Sequence, residues 1–378
     1  MKTNCTVVIP CLNEAQTLAH AIDLAKQLLA SLDGEGEIIV ADNGSTDASI
    51  AIAEAAGARV VPVRDKGYGF ALMAGITAAK GDIVVMGDAD ATYDFREAKT
   101  LVEAVANGAD LAMGSRLRGH IEKGAMPFLH RYLGTPVLTA LIRFFFHAPI
   151  SDCNCGMRAF SKTAFQKMDL SSGGMEFASE MVIKAAIAGL RIVEFPISLA
   201  KDKRDRAPHL HTWRDGWRHL RFILLFAPHI LFTLPGHLLA WASGAALALL
   251  AIGPVTIGQA HFDYHHMFYL IPFFCVGVQL LWFSHISNRF RAFTGLEAAP
   301  THPFHLEGWL LTGFTSCLAS VAIFATVLVK WLAAGRTNLL AIRPCCVALI
   351  LFLFGMLTIP NALLTSMFEL RFIRKPTP

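Results

Sequence analysis

Two carboxylates stand two residues apart in Gly87-Asp88-Ala89-Asp90, directly after the apolar run Ile83-Val84-Val85-Met86. Side chains at positions i and i+2 of an extended segment point to the same side, so Asp88 and Asp90 can converge on one hard cation. A divalent ion held there would neutralise a diphosphate leaving group. The same pattern is also common in solvated turns, so the surrounding elements must decide between the two interpretations.

Other polar pairs follow the neighbouring predicted strands. Short apolar runs alternate with helical patterns, which predicts a mostly parallel, doubly wound α/β sheet. In such sheets ligands bind beyond the carboxyl ends of the strands. The strands are predicted at residues 6–10, 37–41, 59–63 and 82–86, and the polar pairs after them are Asn13 and Glu14, Asp42 and Asn43, Asp65 and Lys66, and Asp88 and Asp90. Recurrence at four strand ends favours one ligand site over four unrelated turns. Ser45 or Thr46 is also predicted to cap a helix at about 48–56.

The second half of the chain has the composition of a membrane domain. The mean hydropathy of the whole chain is +0.47, which is high for a soluble protein. In the second half, Asp263 is the only Asp, Glu, Lys or Arg between Phe222 and Asn288. A soluble helical bundle would need polar outer faces, which these segments lack. Four spans, each long enough to cross about 30 Å of hydrocarbon, are predicted at about 230–257, 267–287, 308–329 and 345–368.

The basic residues near the spans predict the orientation. Because no leader precedes the first strand, the N-terminal domain is expected to stay in the cytoplasm. Four spans then return the tail to that side, and the basic residues of the tail and of the second-to-third loop fit the positive-inside rule. Those residues are Arg289, Arg291, Arg371, Arg374 and Lys375. The third-to-fourth loop, with Lys330, Arg336 and Arg343, contradicts the rule, so the count or the rule fails there.

An aromatic and basic segment precedes the first predicted span. It contains Trp213, Arg214, Trp217, Arg218 and Arg221 and is typical of an interfacial helix on anionic lipid. Nucleic-acid binding is disfavoured, because the net charge is only +4 and membrane spans adjoin the segment. The eight cysteines are expected to stay reduced in the cytoplasm.

The ordered set of motifs resembles glycosyltransferase family 2, and in particular the polyprenyl-phosphate glycosyltransferases that include dolichyl-phosphate mannose and glucose synthases. The resemblance covers roughly residues 5–225. The motifs are Ile9-Pro10 with Asn13-Glu14, the run Ala41 to Asp47, Lys66-Gly67-Tyr68-Gly69, Gly87-Asp88-Ala89-Asp90, Gly114-Ser115-Arg116, and the run Cys155 to Phe160. It implies a GT-A-type sheet followed by an all-α transmembrane domain.

The resemblance also implies roles for the donor-side residues. Pro10, Asn13 and Glu14 would line the nucleotide pocket, Asp42 would bind base or ribose, Lys66 would hold the nucleotide, and Asp88 and Asp90 would hold Mg2+ or Mn2+. Many dolichyl-phosphate mannose synthases place a further ligand, glutamine, where this chain has Thr92. Asp94 or a water is the alternative third ligand, unless Tyr93-Asp94-Phe95 is a structural turn.

The acceptor-side residues leave more alternatives open. Arg116 and Arg131 would contact the acceptor phosphate, although Arg131 would equally fit a surface helix. Glu180 is a candidate catalytic base or, alternatively, a solvated or arginine-paired helix residue. Arg204 or Arg206 would close over the donor diphosphate. Both stand in a run of charged residues, and such a run is also explained by exposure to solvent alone.

The sequence therefore predicts a metal-dependent, inverting transfer of one sugar from a UDP- or GDP-linked donor to a dolichyl or undecaprenyl phosphate at the cytoplasmic membrane face. The alternatives are a processive polysaccharide synthase, whose Gln-x-x-Arg-Trp signature is missing around Trp213, and a non-catalytic lipid flippase or scaffold. The predicted domains are a transferase domain (1–210), an interfacial segment (211–228), a transmembrane domain (229–370) and a cytoplasmic tail (371–378). The sequence predicts neither the sugar nor the oligomeric state.

Overall fold

The structure, a computed structural model, describes residues 4–204, 212–293, 304–335 and 341–368. Arg206, Arg336 and the basic residues of the tail lie outside the described residues. The chain divides into two compact units, Met1–Phe226 and Ala227–Pro378.

A seven-stranded sheet forms the centre of the first unit, with the strand order β3-β2-β1-β4-β6-β5-β7. All neighbouring pairs are parallel except those of β6, which runs antiparallel to both β4 and β5. The strands are β1 (Cys5–Cys11), β2 (Gly36–Asp42), β3 (Arg59–Pro62), β4 (Ile83–Met86), β5 (Leu111–Ser115), β6 (Arg158–Ser161) and β7 (Ile192–Pro196). The prediction of a mostly parallel α/β sheet is confirmed.

Helices cover the sheet on both faces. They are α1 (Leu18–Ala30), α2 (Ser49–Ala55), α3 (Tyr68–Ala78), α4 (Lys99–Ala106), α5 (Thr135–Phe146), α6 (Lys162–Met168), α7 (Phe177–Ile187) and α8 (Thr212–Leu225). Successive residues of β1 point to opposite faces: Val7 packs in one core with Leu18 of α1, and Val8 packs in a second core with Leu72 of α3. Burial on both faces explains why this strand is apolar except for Thr6, which is buried with its hydroxyl bonded to Glu37.

The start of α2 differs from the prediction. Its N-cap residue is Ala48, and the Ser49 amide donates to the Asp47 carboxylate, so the prediction that Ser45 or Thr46 caps this helix is wrong. Ser45 and Thr46 bond across the loop to Asn13 instead. A turn residue bonds to whichever partner the fold brings near, and here that partner is the β1 loop.

Among the described residues of the second unit, four helices are long and apolar enough to span a bilayer, the same number that the sequence predicts. They are α9 (Leu234–Ile252, preceded by a π-helical turn His229–Thr233), α10 (Tyr264–Phe293), α11 (Leu306–Ala333) and α12 (Ile342–Met367). Helix α9 ends at Ile252, five residues before the predicted end of the first span at 257, because Pro254 cannot continue the helix. The chain forms a small hairpin there, β8 (Val255–Ile257) with β9 (Ala260–Phe262).

One basic residue of the discrepant third-to-fourth loop has a local partner. Arg343, at the start of α12, forms an ion pair with Asp263, which follows the β8–β9 hairpin. The pair places the beginning of α12 beside the beginning of α10 and gives this arginine a carboxylate partner within the second unit. Deeper in the bundle, Asn361 of α12 donates to Gln279 of α10 over 3.0 Å.

Candidate active site

A cavity of about 490 Å³ lies at the carboxyl ends of β1, β2 and β4, within the first unit. Six of the predicted site residues line it: Pro10, Glu14, Lys66, Asp88, Asp90 and Arg204. The strands deliver them because parallel strands all end at the same edge of the sheet. The four polar clusters of the sequence therefore contribute to one cavity, as predicted.

Asp88 bonds to Tyr68 and lies against Gly156, whose amide is bonded to Tyr93. Tyr68 Oη donates to Asp88 Oδ1 over 2.8 Å, and Tyr93 Oη accepts from the Gly156 amide over 3.0 Å. A Cβ at Gly156 would lie 2.5 Å from Asp88 Oδ2, so only glycine fits beside this carboxylate. Burial, and then the charge of Asp90, raise the pKa of Asp88 to about 7. A carboxylate in this position gains from a nearby cation.

Asp90 is oriented by Thr92. Thr92 donates to Asp90 Oδ1 from its hydroxyl over 2.7 Å and from its amide over 3.0 Å. The intervening Ala91 has a φ of 59°, a left-handed conformation that non-glycine residues seldom adopt. The turn therefore fixes Asp90 Oδ1 on Thr92, while Asp90 Oδ2 lies 3.3 Å from Arg204 Nη2.

The two aspartates fit a divalent ion that brings its remaining ligands with it. Mg2+ typically takes one or two carboxylates and fills its other positions with water and substrate phosphate oxygens. Within the described part of the chain, no cluster of three or more His, Cys, Asp or Glu side chains is arranged to hold a metal. Asp94 does not supply the third ligand in this arrangement, since its carboxylate caps a 3-10 turn and pairs with Arg96 at 2.6 Å.

Arg204 joins the acidic residues of the cavity. Its Nη1 lies 2.8 Å from Glu14 Oε1, and its Nη2 lies 3.3 Å from Asp90 Oδ2 and 2.6 Å from Asp202 Oδ2. Burial opposes the charged form, but the bonds to Asp202, Asp90 and Glu14 outweigh it and raise the pKa of Arg204 above its usual range. The guanidinium is therefore a permanent cation at the carboxylate pair.

Some of the residues predicted to bind the nucleotide line the cavity, and others bond to the loops beside it. Lys66 lines the cavity and donates from Nζ to the Asn43 carbonyl over 2.6 Å. Asp42 accepts the amides of Gly44 and Ser45, and Asn13 accepts the Thr46 amide over 2.7 Å. Asn13 and Asp42 are therefore placed to hold the β1 and β2 loops in shape beside the cavity rather than in its wall. Their predicted contact with the nucleotide stays a prediction.

The acceptor-side residues are not in the cavity wall. Arg116 forms a two-pronged pair with the fully buried Asp152, from Nε at 2.7 Å and from Nη2 at 2.8 Å. Arg131 lies in a π-helical turn, His130–Gly134, with its guanidinium 5.5 Å from the ring centre of Tyr132. Their contact with an acceptor phosphate also stays a prediction.

Glu180 is fully buried in α7, so the alternative that it is solvated is wrong. Its carboxylate pairs with Lys184 at 2.9 Å and accepts the amides of Ser171 and Ser172. Burial raises its pKa, but the bonds from Lys184 and Ser172 outweigh this and lower it below the ordinary glutamate value. A base that accepts a proton needs a raised pKa, so this geometry favours a structural role.

Three residues of α8 line the cavity although the sequence analysis named none of them as site residues: Arg214, Asp215 and Arg218. The composition of the segment predicted contact with lipid, and that prediction missed the face carrying the two arginines. The i, i+4 spacing of Arg214 and Arg218 was the available signal, because it puts both on one side of a helix.

Comparison with known proteins identifies the family. A sequence model of glycosyl transferase family 2 matches residues 6–169, and a model of the family 2 C-terminal transmembrane region matches residues 282–369. A dolichyl-phosphate hexose transferase of Haloferax volcanii is 31% identical over 193 residues, which cover 50% of this chain and 80% of that protein. The chain belongs to glycosyl transferase family 2. The predicted family and GT-A-type fold are thereby confirmed.

A second relative matches a longer part of this family 2 chain. The low-salt glycan biosynthesis hexosyltransferase Agl6 of Haloferax volcanii is 44% identical over 261 residues, or 69% of this chain. The match spans 62% of the length of that relative. Among solved structures, glucosyl-3-phosphoglycerate synthase from Mycobacterium tuberculosis, in complex with Mn2+, UDP and glucosyl-3-phosphoglycerate, has a TM-score of 0.49 and 24% identity over 60% of this chain and 80% of its own.

Proposed function

We propose that this family 2 protein transfers a single sugar from a UDP- or GDP-linked donor to a polyprenyl phosphate, with its first unit at the cytoplasmic face of the membrane. The observation that carries the proposal is the cavity lined by Asp88, Asp90, Lys66 and Arg204, in a chain whose described residues include four membrane-length helices. Its volume is within the usual range for ligand sites.

The polar groups of the cavity support an anionic donor. Lys66 offers an ammonium beside the Asn43 carbonyl, and Arg204 offers a planar guanidinium that can bind two phosphate oxygens at once. Asp88 and Asp90 would hold the divalent ion, with Thr92 fixing the second carboxylate. When bound, Mg2+ or Mn2+ would neutralise the charge of the leaving diphosphate.

The acceptor would react by direct displacement. An acceptor phosphate oxygen attacks the anomeric carbon of the sugar, the bond from that carbon to the donor diphosphate breaks, and the electron pair leaves with the nucleoside diphosphate. A single displacement inverts the configuration at the anomeric carbon. Because a phosphate monoester is already anionic at neutral pH, no proton has to be removed, which agrees with the placement of Glu180 in an ion pair outside the cavity wall.

The lipid acceptor is supported by the membrane half and by the relatives. A soluble acceptor would not require four apolar helices, whereas a polyprenyl phosphate is held in the bilayer. The dolichyl-phosphate hexose transferase among the relatives is named for such an acceptor. The cytoplasmic orientation is part of the proposal and rests on the charges of the tail and of the second-to-third loop.

The deciding experiment supplies purified full-length protein and Mg2+ with undecaprenyl or dolichyl phosphate and a panel of UDP- and GDP-sugars. A glycolipid heavier by one sugar is expected by mass spectrometry. Asp90→Asn should abolish it, and Asp94→Asn, outside the cavity wall, should not. Products that carry several sugars would favour the processive synthase, and absence of any glycolipid with every pair would overturn the proposal.

A further inference from the structure

Helix α8 presents two different stripes. Arg214 and Arg218, four residues apart, line the cavity. Trp213 and Trp217, also four apart, are 80% and 58% exposed. Because each tryptophan directly precedes one of the arginines, the aromatic stripe adjoins the basic one along the helix.

A buried carboxylate holds the basic stripe in place. Asp215 is only 3% exposed, and its Oδ1 lies 3.6 Å from Arg214 Nε and 3.9 Å from Arg218 Nη1. The arginine side chains themselves remain 59% and 41% exposed, so both guanidinium groups keep donors for another anion. This arrangement suits a phosphate group at the cavity.

Three other cations of the first unit, Arg204, Lys66 and Arg116, have different partners. Arg204 contacts Glu14, Asp90 and Asp202, and Lys66 contacts the Asn43 carbonyl, so both serve the donor side of the cavity. Arg116 donates from both Nε and Nη2 to Asp152. In the described cavity wall, Arg204 is the arginine paired with Asp90, whereas Arg214 and Arg218 lie beside Asp215.

Exposed apolar side chains continue from α8 onto the element packed against it. Helix α5 packs on α8, and α5 with the turn before it also exposes large apolar side chains. They are Phe128, Leu129, Tyr132, Leu133, Val137 and Phe144. A ligand with a phosphate head and a long apolar tail matches a basic stripe inside the cavity and an apolar surface outside it.

We propose that Arg214 and Arg218 bind the phosphate of the acceptor lipid, and that Trp213 and Trp217 contact the first units of its apolar chain. The proposal rests on the proposed transferase function and deepens it by assigning the acceptor site to α8. The shared chemistry is a phosphate group, which an acceptor lipid, free phosphate or an anionic headgroup could each supply. The test separates these sources.

Equilibrium binding of farnesyl phosphate, followed by calorimetry in neutral detergent, tests the site without turnover. Arg214→Gln and Arg218→Gln should each weaken binding about tenfold to hundredfold, because each removes a charged hydrogen-bond donor to phosphate. Arg221→Gln is the matched control, since Arg221 is an exposed arginine of the same helix that lies outside the cavity wall. Inorganic phosphate and farnesol should both bind more weakly than farnesyl phosphate.

Steady-state kinetics provide the second measurement. The cavity variants should raise the acceptor KM by a similar factor and leave the donor KM within about twofold. Trp213→Ala should raise the acceptor KM more for a long prenyl chain than for a short one.

A rise in donor KM alone would assign the arginines to the diphosphate. An equal loss in Arg221→Gln would assign α8 to general attraction by anionic headgroups, and unchanged farnesyl phosphate binding in both cavity variants would overturn the proposal. If the wild-type chain binds farnesyl phosphate but forms no glycolipid, the proposed function fails and the phosphate site stands.

Discussion

Arg204 Nη2 lies 3.3 Å from Asp90 Oδ2, while Nη1 of the same guanidinium lies 2.8 Å from Glu14 Oε1. The arginine therefore supplies positive charge at the carboxylate that is proposed to hold a divalent ion. Two cations at one carboxylate repel each other, so binding of the ion and the contact between Arg204 and Asp90 should compete. Once a donor is bound, its diphosphate offers the guanidinium a new partner.

Arg204→Gln should therefore tighten the binding of Mn2+ in the absence of a donor, by about tenfold, which corresponds to about 1.4 kcal/mol. Electron paramagnetic resonance of free Mn2+ measures this directly. The same variant should lose transferase activity, because it lacks the guanidinium that is proposed to bind the donor diphosphate. Arg96→Gln, which removes the arginine paired with Asp94 outside the cavity wall, is the matched control and should bind Mn2+ as the wild type does. Weaker Mn2+ binding in Arg204→Gln would refute the competition.

Thr92→Val should reduce kcat about tenfold with little change in stability. The substitution keeps the shape of the side chain but removes the hydroxyl that donates to Asp90 Oδ1 over 2.7 Å. Thr92→Ser keeps the hydroxyl and should retain most of the activity. Initial rates at saturating donor and acceptor, together with melting temperatures, check both. Full activity in Thr92→Val would mean that the backbone amide alone orients Asp90.

Glu180→Gln should lower the free energy of unfolding by about 3 kcal/mol, because it leaves the Lys184 ammonium buried without its charge partner. The kcat of the protein that remains folded should be close to that of the wild type. Denaturant unfolding of the purified chain and active-site-normalised rates separate the two effects. A stable Glu180→Gln protein that lost both kcat and the acid limb of its pH profile would instead assign Glu180 as the catalytic base.

Acid should destabilise the first unit through His219. The ring is buried and its Nδ1 lies 2.7 Å from Ser179 Oγ, and burial chiefly lowers its pKa to about 4. A histidine with a depressed folded-state pKa stabilises the fold above its unfolded pKa of about 6.5 and loses that contribution as the pH falls towards 4.

Melting temperatures measured between pH 7.5 and 4.5 should therefore fall more steeply in the wild type than in His219→Gln. In the free energy of unfolding, the expected extra slope is up to about 1.4 kcal/mol per pH unit below the ordinary histidine pKa. His20→Gln, at an exposed position of α1, should follow the wild type. Equal slopes in wild type and His219→Gln would show that other groups cause the acid sensitivity.

Local patterns of the sequence determined the elements and much of the donor side. Apolar runs followed by polar pairs placed β1, β2 and β4 and put Asp88 and Asp90 at a strand end, because side-chain alternation and turn preference are properties of short segments. The four long apolar helices followed from length and hydropathy alone. The family motifs added the expectation that these strand ends serve one donor site.

Only the tertiary structure decided which side chains meet. Arg204 and Asp90 are 114 residues apart, and nothing local distinguishes that partner from solvent. Periodicity predicted that Arg214 and Arg218 share a face of α8, but it could not say that this face borders the cavity, because that depends on how the helix packs. The same reason hid the Asp152 partner of Arg116. Lys184 follows Glu180 by four residues on α7, so spacing alone offered that pair, and only its burial depended on how the helix packs. A sequence gives the direction of a side chain relative to its own element, and the packing of the elements decides what stands in that direction.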